Sequence, residues 1–318
     1  MDEGALTHEF PLNGPAGEPV DLRRLFASHG VATLPPMRVD ETVWTFEVTL
    51  PAGRSARTVR VQAGRPGFMA ITVLGPPLSR PLEAALLALT RHTLSLDVDL
   101  SGFYRMARAD PDLAWVTAGA GRMIRGATVF EDVIKTVCTT NCAWSGTVRM
   151  VSALVEHLGV RAPGAPSAGP LGRAFPTPRA MAQAPADFYR TVVGAGYRAA
   201  YLRQIAQAVA AGAVDLEALS GPSSAALSDD DVMARLRALP GVGPYAAAHI
   251  GLMLGRTSAL ILDSWTRPTY ARLLDRRTVA DRTIERRFKR YGRYAGLAFW
   301  LFLTRDWVPE LPSLVRRA

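Results

Sequence analysis

The sequence predicts an α+β protein: an antiparallel β-sheet with helices over residues 1–96, followed by an all-α domain over residues 97–318. Three observations predict it. Val43–Leu50, Arg57–Gln62 and Phe68–Leu74 are short runs rich in β-branched and aromatic residues, separated by Gly/Pro turns. From Leu100 onward the apolar residues recur at helical spacing instead. The charge divides at the same place. Residues 1–100 hold 9 Arg/Lys against 11 Asp/Glu and residues 101–318 hold 28 against 17, so the net +9 is −2 on the first part and +11 on the second. A chain of 318 residues is ample for two domains with a sizeable core.

In the first part, Val20–His29 reads as a helix capped near Asp21, and Pro81–Leu94 as a second helix that closes the domain. No catalytic constellation is visible there, and His29 and His92 read as ordinary surface or packing residues. In the second part, residues 110–159 read as a helix, a Gly-rich loop and two further helices. Val129, Val133, Ile134 and Val137 form one apolar stripe. A polar turn, Thr139–Trp144, interrupts the period before it restarts over Thr147–Leu158. Residues 161–180 are rich in Pro, Gly and Ala and read as a surface loop. Gly194–Leu202 (GAGYRAAYL) opens the next helix. It lacks the preceding strand and third glycine of a dinucleotide fingerprint, so Tyr197 and Arg198 read as packing and helix-pinning residues.

The rest of the domain is organised around residues 228–267. Ser228 with Asp229–Asp231 starts a short helix, with Val232, Leu236 and Leu239 on one face. Pro240-Gly241-Val242-Gly243 breaks it, the glycines allowing positive φ and close backbone approach. Pro244 then suits the first turn of a second helix, ending near Gly255. A Gly turn at a helix N-terminus points backbone N–H groups outward and seats a phosphate. The apolar run Leu260–Leu262 delivers Asp263 at its end. Asp263-Ser264-Trp265-Thr266 also reads as a helix start, so Asp263 taken alone is an N-cap. Further on, residues 271–294 carry 9 Arg/Lys against 3 acids, which suits either phosphates or a solvated helix face, and 292–307 form the last helix.

Nearly all the positive charge is arginine; the only lysines are Lys135 and Lys289. A basic surface beside a phosphate-binding turn implies a polyanionic partner. Cys138 and Cys142 are too few for a disulfide framework or a four-cysteine cluster. The chain shows no signal-peptide pattern and no long apolar run, so the expectation is a soluble, cytoplasmic protein without a membrane partner.

The hairpin Leu239–Gly243 followed by Asp263 resembles the helix-hairpin-helix DNA glycosylase superfamily, of the alkyladenine and oxoguanine types. Cys138-Thr139-Thr140-Asn141, Phe175-Pro176, Gly194-Ala195-Gly196-Tyr197-Arg198 and Tyr294-Ala295-Gly296 also match that pattern, so the resemblance spans residues 97–308. For the N-terminal domain it rests on element order alone.

The resemblance implies a base-excision-repair enzyme acting on double-stranded DNA with damaged bases, as a monomer. Asp263 would be its catalytic carboxylate and Asn141 would fill the gap left by a flipped base. Gly241, Val242, Gly243, Tyr245 and Arg267 would contact DNA, with a monovalent cation at the hairpin and no other metal. The base pocket would comprise Trp265, Phe299, His249 and Leu303. No cysteine follows residue 142, so the iron–sulfur cluster of some relatives is not expected.

The position of the nucleophilic lysine in bifunctional members is Tyr245, which cannot form a Schiff base. Lys135 lies about two turns before Asn141 and points by its period to the helix side or solvent. The resemblance therefore implies hydrolysis without strand cleavage. An aromatic set of Tyr245, Trp265, Phe299, Trp300 and Trp144 suits a cationic, alkylated purine of the 3-methyladenine kind. Two alternatives stay open: an 8-oxoguanine-type glycosylase, and a DNA-binding protein that uses the hairpin without chemistry.

Overall fold

The structure, a computed structural model, describes residues 6–221 and 224–309. Its N-terminal part is a five-stranded, wholly antiparallel sheet. The strands are β1 (Leu6–Pro11), β2 (Met37–Asp40), β3 (Thr45–Ala52), β4 (Ser55–Ala63) and β5 (Phe68–Val73), in the order β1-β5-β4-β3-β2. The three expected strands form the middle; the edge strands β1 and β2 went unrecognised because half of each is polar and β2 has four residues.

Alternation assigns the faces. Phe46, Val48, Leu50, Val59, Val61 and Ile71 are buried against α1 (Leu22–Phe26) and α2 (Arg80–Thr93), where Phe26 stacks on Phe46 with ring centroids 5.6 Å apart. On the outer face Glu47 accepts from Arg38 and Arg60, each at 2.9 Å. Asp21 caps α1 as expected, accepting from the Arg23 and Arg24 amides at 2.9 and 3.2 Å, but that helix is shorter than the 20–29 run suggested.

The helical part begins with α3 (Ser101–Ala107) and continues through a 3₁₀ turn (Ala114–Ala118), where the sequence suggested a full helix. It then holds α4 (Val129–Thr139), α5 (Trp144–Leu158), α6 (Pro178–Gln183), α7 (Phe188–Thr191) and α8 (Arg198–Ala210). The hairpin pair α9 (Asp229–Arg237) and α10 (Pro244–Met253) follows, then α11 (Thr266–Leu273), α12 (Asp281–Phe288) and α13 (Ala295–Thr304).

Two hydrophobic cores fill this part, and α10 runs between them. Ala246, Ala247, Ile250 and Met253 face the core built on α4, α5 and α8; Ala248 and Leu252 face the core built on α3, α12 and α13. That is why α10 is apolar on every side. The N-terminal part does not stand apart. Val31 and Leu34 reach into the first helical core and Ile124 into the sheet's core, while the buried Arg122 guanidinium pairs with Glu18 at 2.7 Å. Among the described residues no helix is long and apolar enough to cross a membrane.

Candidate active site

The hairpin forms as the sequence predicts. Ser228 and Asp231 make a reciprocal capping box, with Ser228 Oγ accepting from the Asp231 amide at 3.1 Å and Asp231 Oδ2 accepting from the Ser228 amide at 3.1 Å. The two glycines have different roles. Gly241 sits at φ +77°, and a Cβ on it would lie 2.6 Å from the Tyr201 ring. Gly243 is the N-cap of α10 with an ordinary φ of −89°, and a Cβ on it would meet nothing within 4 Å. Folding therefore requires glycine at 241 and leaves the space beside 243 open to whatever approaches the N-terminus of α10.

That N-terminus faces a groove of about 550 Å³, lined by Gly241, Gly243, Arg237, Asn141, Tyr197 and Tyr201. Asn141 is exposed, in the left-handed region at φ +45°, at the tip of the α4–α5 turn. The buried Arg198 holds that tip. Its Nε donates to the Thr140 carbonyl at 2.9 Å and its Nη2 to the Asn141 carbonyl at 2.9 Å, with a further short contact from Nη2 to Thr140. The pinning role expected of Arg198 is thus directed at the Asn141 turn.

Beyond the turn lies a cavity of about 620 Å³ between the two parts of the chain. Asp263 stands at its edge. Asp263 Oδ1 accepts from the amides of Trp265 at 2.8 Å and Thr266 at 2.6 Å, while the Thr266 hydroxyl accepts from the Asp263 amide at 2.8 Å. One carboxylate oxygen thereby orients the group at the start of α11. Among the described residues the other oxygen, Oδ2, has no hydrogen-bond partner, so the side chain is both a helix cap and a free carboxylate on the cavity.

Gly296 explains how the run before Asp263 is held: its amide donates to the Thr257 carbonyl at 2.8 Å, and a Cβ on it would lie 2.1 Å from the Ala259 carbonyl oxygen.

The walls are aromatic. Trp144 and Trp265 stand half-exposed, and Trp265, Trp300 and Trp307 pack with centroids 5.6–5.7 Å apart. The Trp300 indole donates to the Ser28 carbonyl at 2.8 Å. Tyr245 borders both the groove and the cavity, with its hydroxyl 3.3 Å from that of Thr139; burial pushes its phenol up. His249 lies deep, between the rings of Tyr245, Trp300 and His29. Burial pushes His249 down to about 4, and burial, then the neighbouring His249, pushes His29 down to about 3, so both are neutral.

Cys142 is also on the wall, whereas Cys138 is buried and its thiol is pushed up to about 12 by burial. No group of three or more His, Cys, Asp or Glu able to hold a metal occurs among the described residues.

Of the residues expected in a base pocket, Trp265 and His249 line the cavity, and Phe299 and Leu303 do not. Phe299 is fully buried against Tyr270 and Phe288, and Leu303 belongs to the same core. Trp300 takes the place assigned to Phe299, because one residue along a helix turns a side chain by about 100°. Arg267 is engaged by Asp281 through two contacts of 2.8 and 2.9 Å rather than left free.

Lys135 is neither on the helix side nor in solvent: it is fully buried, with its ammonium 2.6 Å from Glu131. In the basic stretch, Arg287 and Arg290 pair with Asp112 and Asp110, while Arg282, Arg286 and Lys289 are exposed. Arg173 pins its own loop through the Gly169 and Ser167 carbonyls. The sequence reading missed Trp307, Gly30 and Val31 as wall residues. An aromatic residue just past the last helix was a signal for Trp307; nothing local marks the other two.

No protein-family model matches the sequence, and no curated protein matches it. Solved structures do. A 3-methyladenine DNA glycosylase from Archaeoglobus fulgidus superposes with a TM-score of 0.71 at 17% identity, covering 96% of this chain and 100% of its own. MBOgg1, in complex with a low-affinity DNA ligand, gives 0.69 at 16% identity over 95% of this chain and 96% of its own. An apo 8-oxoguanine glycosylase/lyase from Clostridium acetobutylicum gives 0.67 at 18% identity over 89% and 92%. The chain has the fold of the helix-hairpin-helix DNA glycosylases.

Proposed function

We propose that this chain is a monofunctional DNA glycosylase that flips a damaged purine out of duplex DNA and hydrolyses its N-glycosidic bond, with alkylated purines as the preferred substrates. The observation that carries the proposal is the free oxygen of Asp263 on an aromatic-walled cavity adjoining the hairpin groove. Breaking the bond leaves positive charge on the sugar. A fixed carboxylate stabilises that charge and orients the water that attacks C1′. The amides of Trp265 and Thr266 hold Asp263 in one orientation, so little reorganisation is needed when the charge develops.

The Gly243 end of α10 would bind a phosphate, and Asn141, held by Arg198, would enter the stack. Walls of tryptophan and tyrosine suit a flat cationic base, since the face of an aromatic ring attracts positive charge. With Tyr245 at the hairpin and Lys135 closed off by Glu131, the reaction uses water and stops at the abasic site. A monovalent cation at the hairpin is also part of the proposal. Backbone carbonyls would hold it, and those of Pro240, Gly241 and Val242 accept no loop or cap backbone hydrogen bond among the described residues.

The test is Asp263→Asn. Asparagine keeps the oxygen that caps α11 and removes the charge. Base release from alkylated duplex DNA should fall on the order of 10²–10³-fold, with DNA affinity nearly unchanged. Release at the wild-type rate would favour a DNA-binding protein without chemistry.

A further inference from the structure

We infer that His249 reads the extruded base: its Nε2–H donates a hydrogen bond to an acceptor on the purine edge, which selects the base and eases its departure. This rests on the glycosylase reading above.

Of the buried polar side chains on the cavity wall, Thr147, Trp300 and His249, the first two are committed to the Cys138 and Ser28 carbonyls, and His249 has no partner among the described residues. Thr139 Oγ1 donates to the Thr136 carbonyl at 2.7 Å and Thr147 Oγ1 to the Cys138 carbonyl at 3.0 Å, so both hydroxyl protons are committed within the protein. The Tyr245 hydroxyl is engaged with Thr139. Asp263 is ionised in the proposed reaction and only accepts. His249 is 7% exposed, lines the cavity, and among the described residues makes no hydrogen bond through either ring nitrogen.

Its two nitrogens are not equivalent. Nδ1 is sealed by packing and has no partner, so Nε2 is the nitrogen left towards the cavity. A buried N–H without an acceptor is rarer in proteins than a buried acceptor without a donor. The proton of the neutral ring therefore belongs on Nε2. The rings of Tyr245, Trp300 and His29, at 6.0, 6.2 and 5.7 Å between centroids, fix the imidazole plane. His29 cannot relieve the sealed nitrogen. Its own Nε2–H donates to the Ile124 carbonyl at 2.6 Å, which leaves its Nδ1 a second orphaned acceptor.

A neutral donor is the group this chemistry needs. When the C1′–N bond breaks, both bonding electrons leave on the base nitrogen. Water forms the new bond to C1′ and gives its proton to the Asp263 carboxylate or to solvent. His249 keeps its own proton throughout. Electron density rises on the departing base, so a hydrogen bond to its ring nitrogen or carbonyl oxygen strengthens in the transition state. An imidazolium would instead repel a cationic base, and burial prevents that by holding His249 neutral. The substrate class is a purine that carries a positive ring and an edge acceptor, as 7-methylguanine does.

The experiment measures single-turnover base release from a 7-methylguanine duplex by the full chain. No release by the wild type would count against the proposed function itself, before His249 is tested. Given release, His249→Phe keeps a ring and loses the donor: the rate constant should fall roughly 10- to 100-fold with duplex affinity nearly unchanged. His249→Gln keeps a donor and should recover most of that loss. An unchanged rate in His249→Phe, or a glutamine variant that is folded and as slow as phenylalanine, overturns the inference. Imidazole ¹⁵N spectra of the wild type decide it independently of any variant: a proton on Nε2 supports it, and a proton on Nδ1 overturns it.

Discussion

Gly296 and Ala259 touch with no room between them for one carbon: a Cβ on Gly296 would lie 2.1 Å from the Ala259 carbonyl oxygen. The contact joins the first turn of α13 to the run that ends in Asp263. Gly296→Ala must therefore push backbone against backbone. We expect a loss of about 1–3 kcal/mol of stability, read by thermal melting. Base release should fall further than the melting shift explains, because the displaced run carries Asp263.

Gly243→Asp separates folding from DNA binding. The position is an N-cap with ordinary φ and open space, so aspartate fits and caps α10, and the melting temperature should hold or rise. A carboxylate there repels phosphate. Affinity should drop alike for every duplex, damaged or not, because phosphate contacts carry no sequence information. Binding isotherms on three unrelated duplexes would expose a sequence-specific loss.

Stability should fall on acidification from pH 6 to 5. In the unfolded chain, histidine takes up a proton near 6.5; in the fold, His249 resists to about 4, His29 to about 3, and His92, through burial and then the Arg125 charge, to about 4. Across that window the unfolded state binds three more protons, which favours unfolding as the pH falls. Asp132 opposes them: burial, then the neighbouring Glu131, raises its carboxyl from 3.8 to about 7, so the folded state holds one extra proton there. The net is two protons, or about 2.7 kcal/mol lost per pH unit. Denaturant melts should show this slope in the wild type, and His249→Gln should roughly halve it.

Borohydride should trap no covalent complex with lesion DNA, and nicks should appear only after alkali. A Schiff base needs an amine that reaches the sugar. Lys135 is fully buried beside Glu131, and Lys289 follows α12 in the exposed basic stretch. An adduct that disappears in Lys289→Ala would contradict the hydrolytic reading.

Local features were the legible ones. The capping box at Ser228, the Gly241 turn, the N-cap at Asp263 and the middle strands each depend on residues within a few positions of one another, and φ preference and short-range hydrogen bonds encode them. The facing of α13 and α4 was not legible. Residues 295–304 are buried throughout, so no polar stripe marks which side meets the cavity, and the position matched to the pocket fell on Phe299 rather than Trp300. Lys135 misled in the same way: its period suggested the helix side or solvent, but it is buried in the core, paired with Glu131 one turn earlier.

The sequence by itself determined the α+β class, the hairpin with its glycine turn, the exposed Asn141 turn and the placement of Asp263 at a helix start. Only the tertiary structure decided what surrounds Asp263. It brought Gly30 and Val31 to the cavity wall, set His29 against His249, and assembled Trp265, Trp300 and Trp307. These residues come from segments up to hundreds of positions apart. They meet because burying both faces of α10 and α13 draws the N-terminal segment against the helical cores, a constraint that acts through space and leaves no periodic trace along the chain.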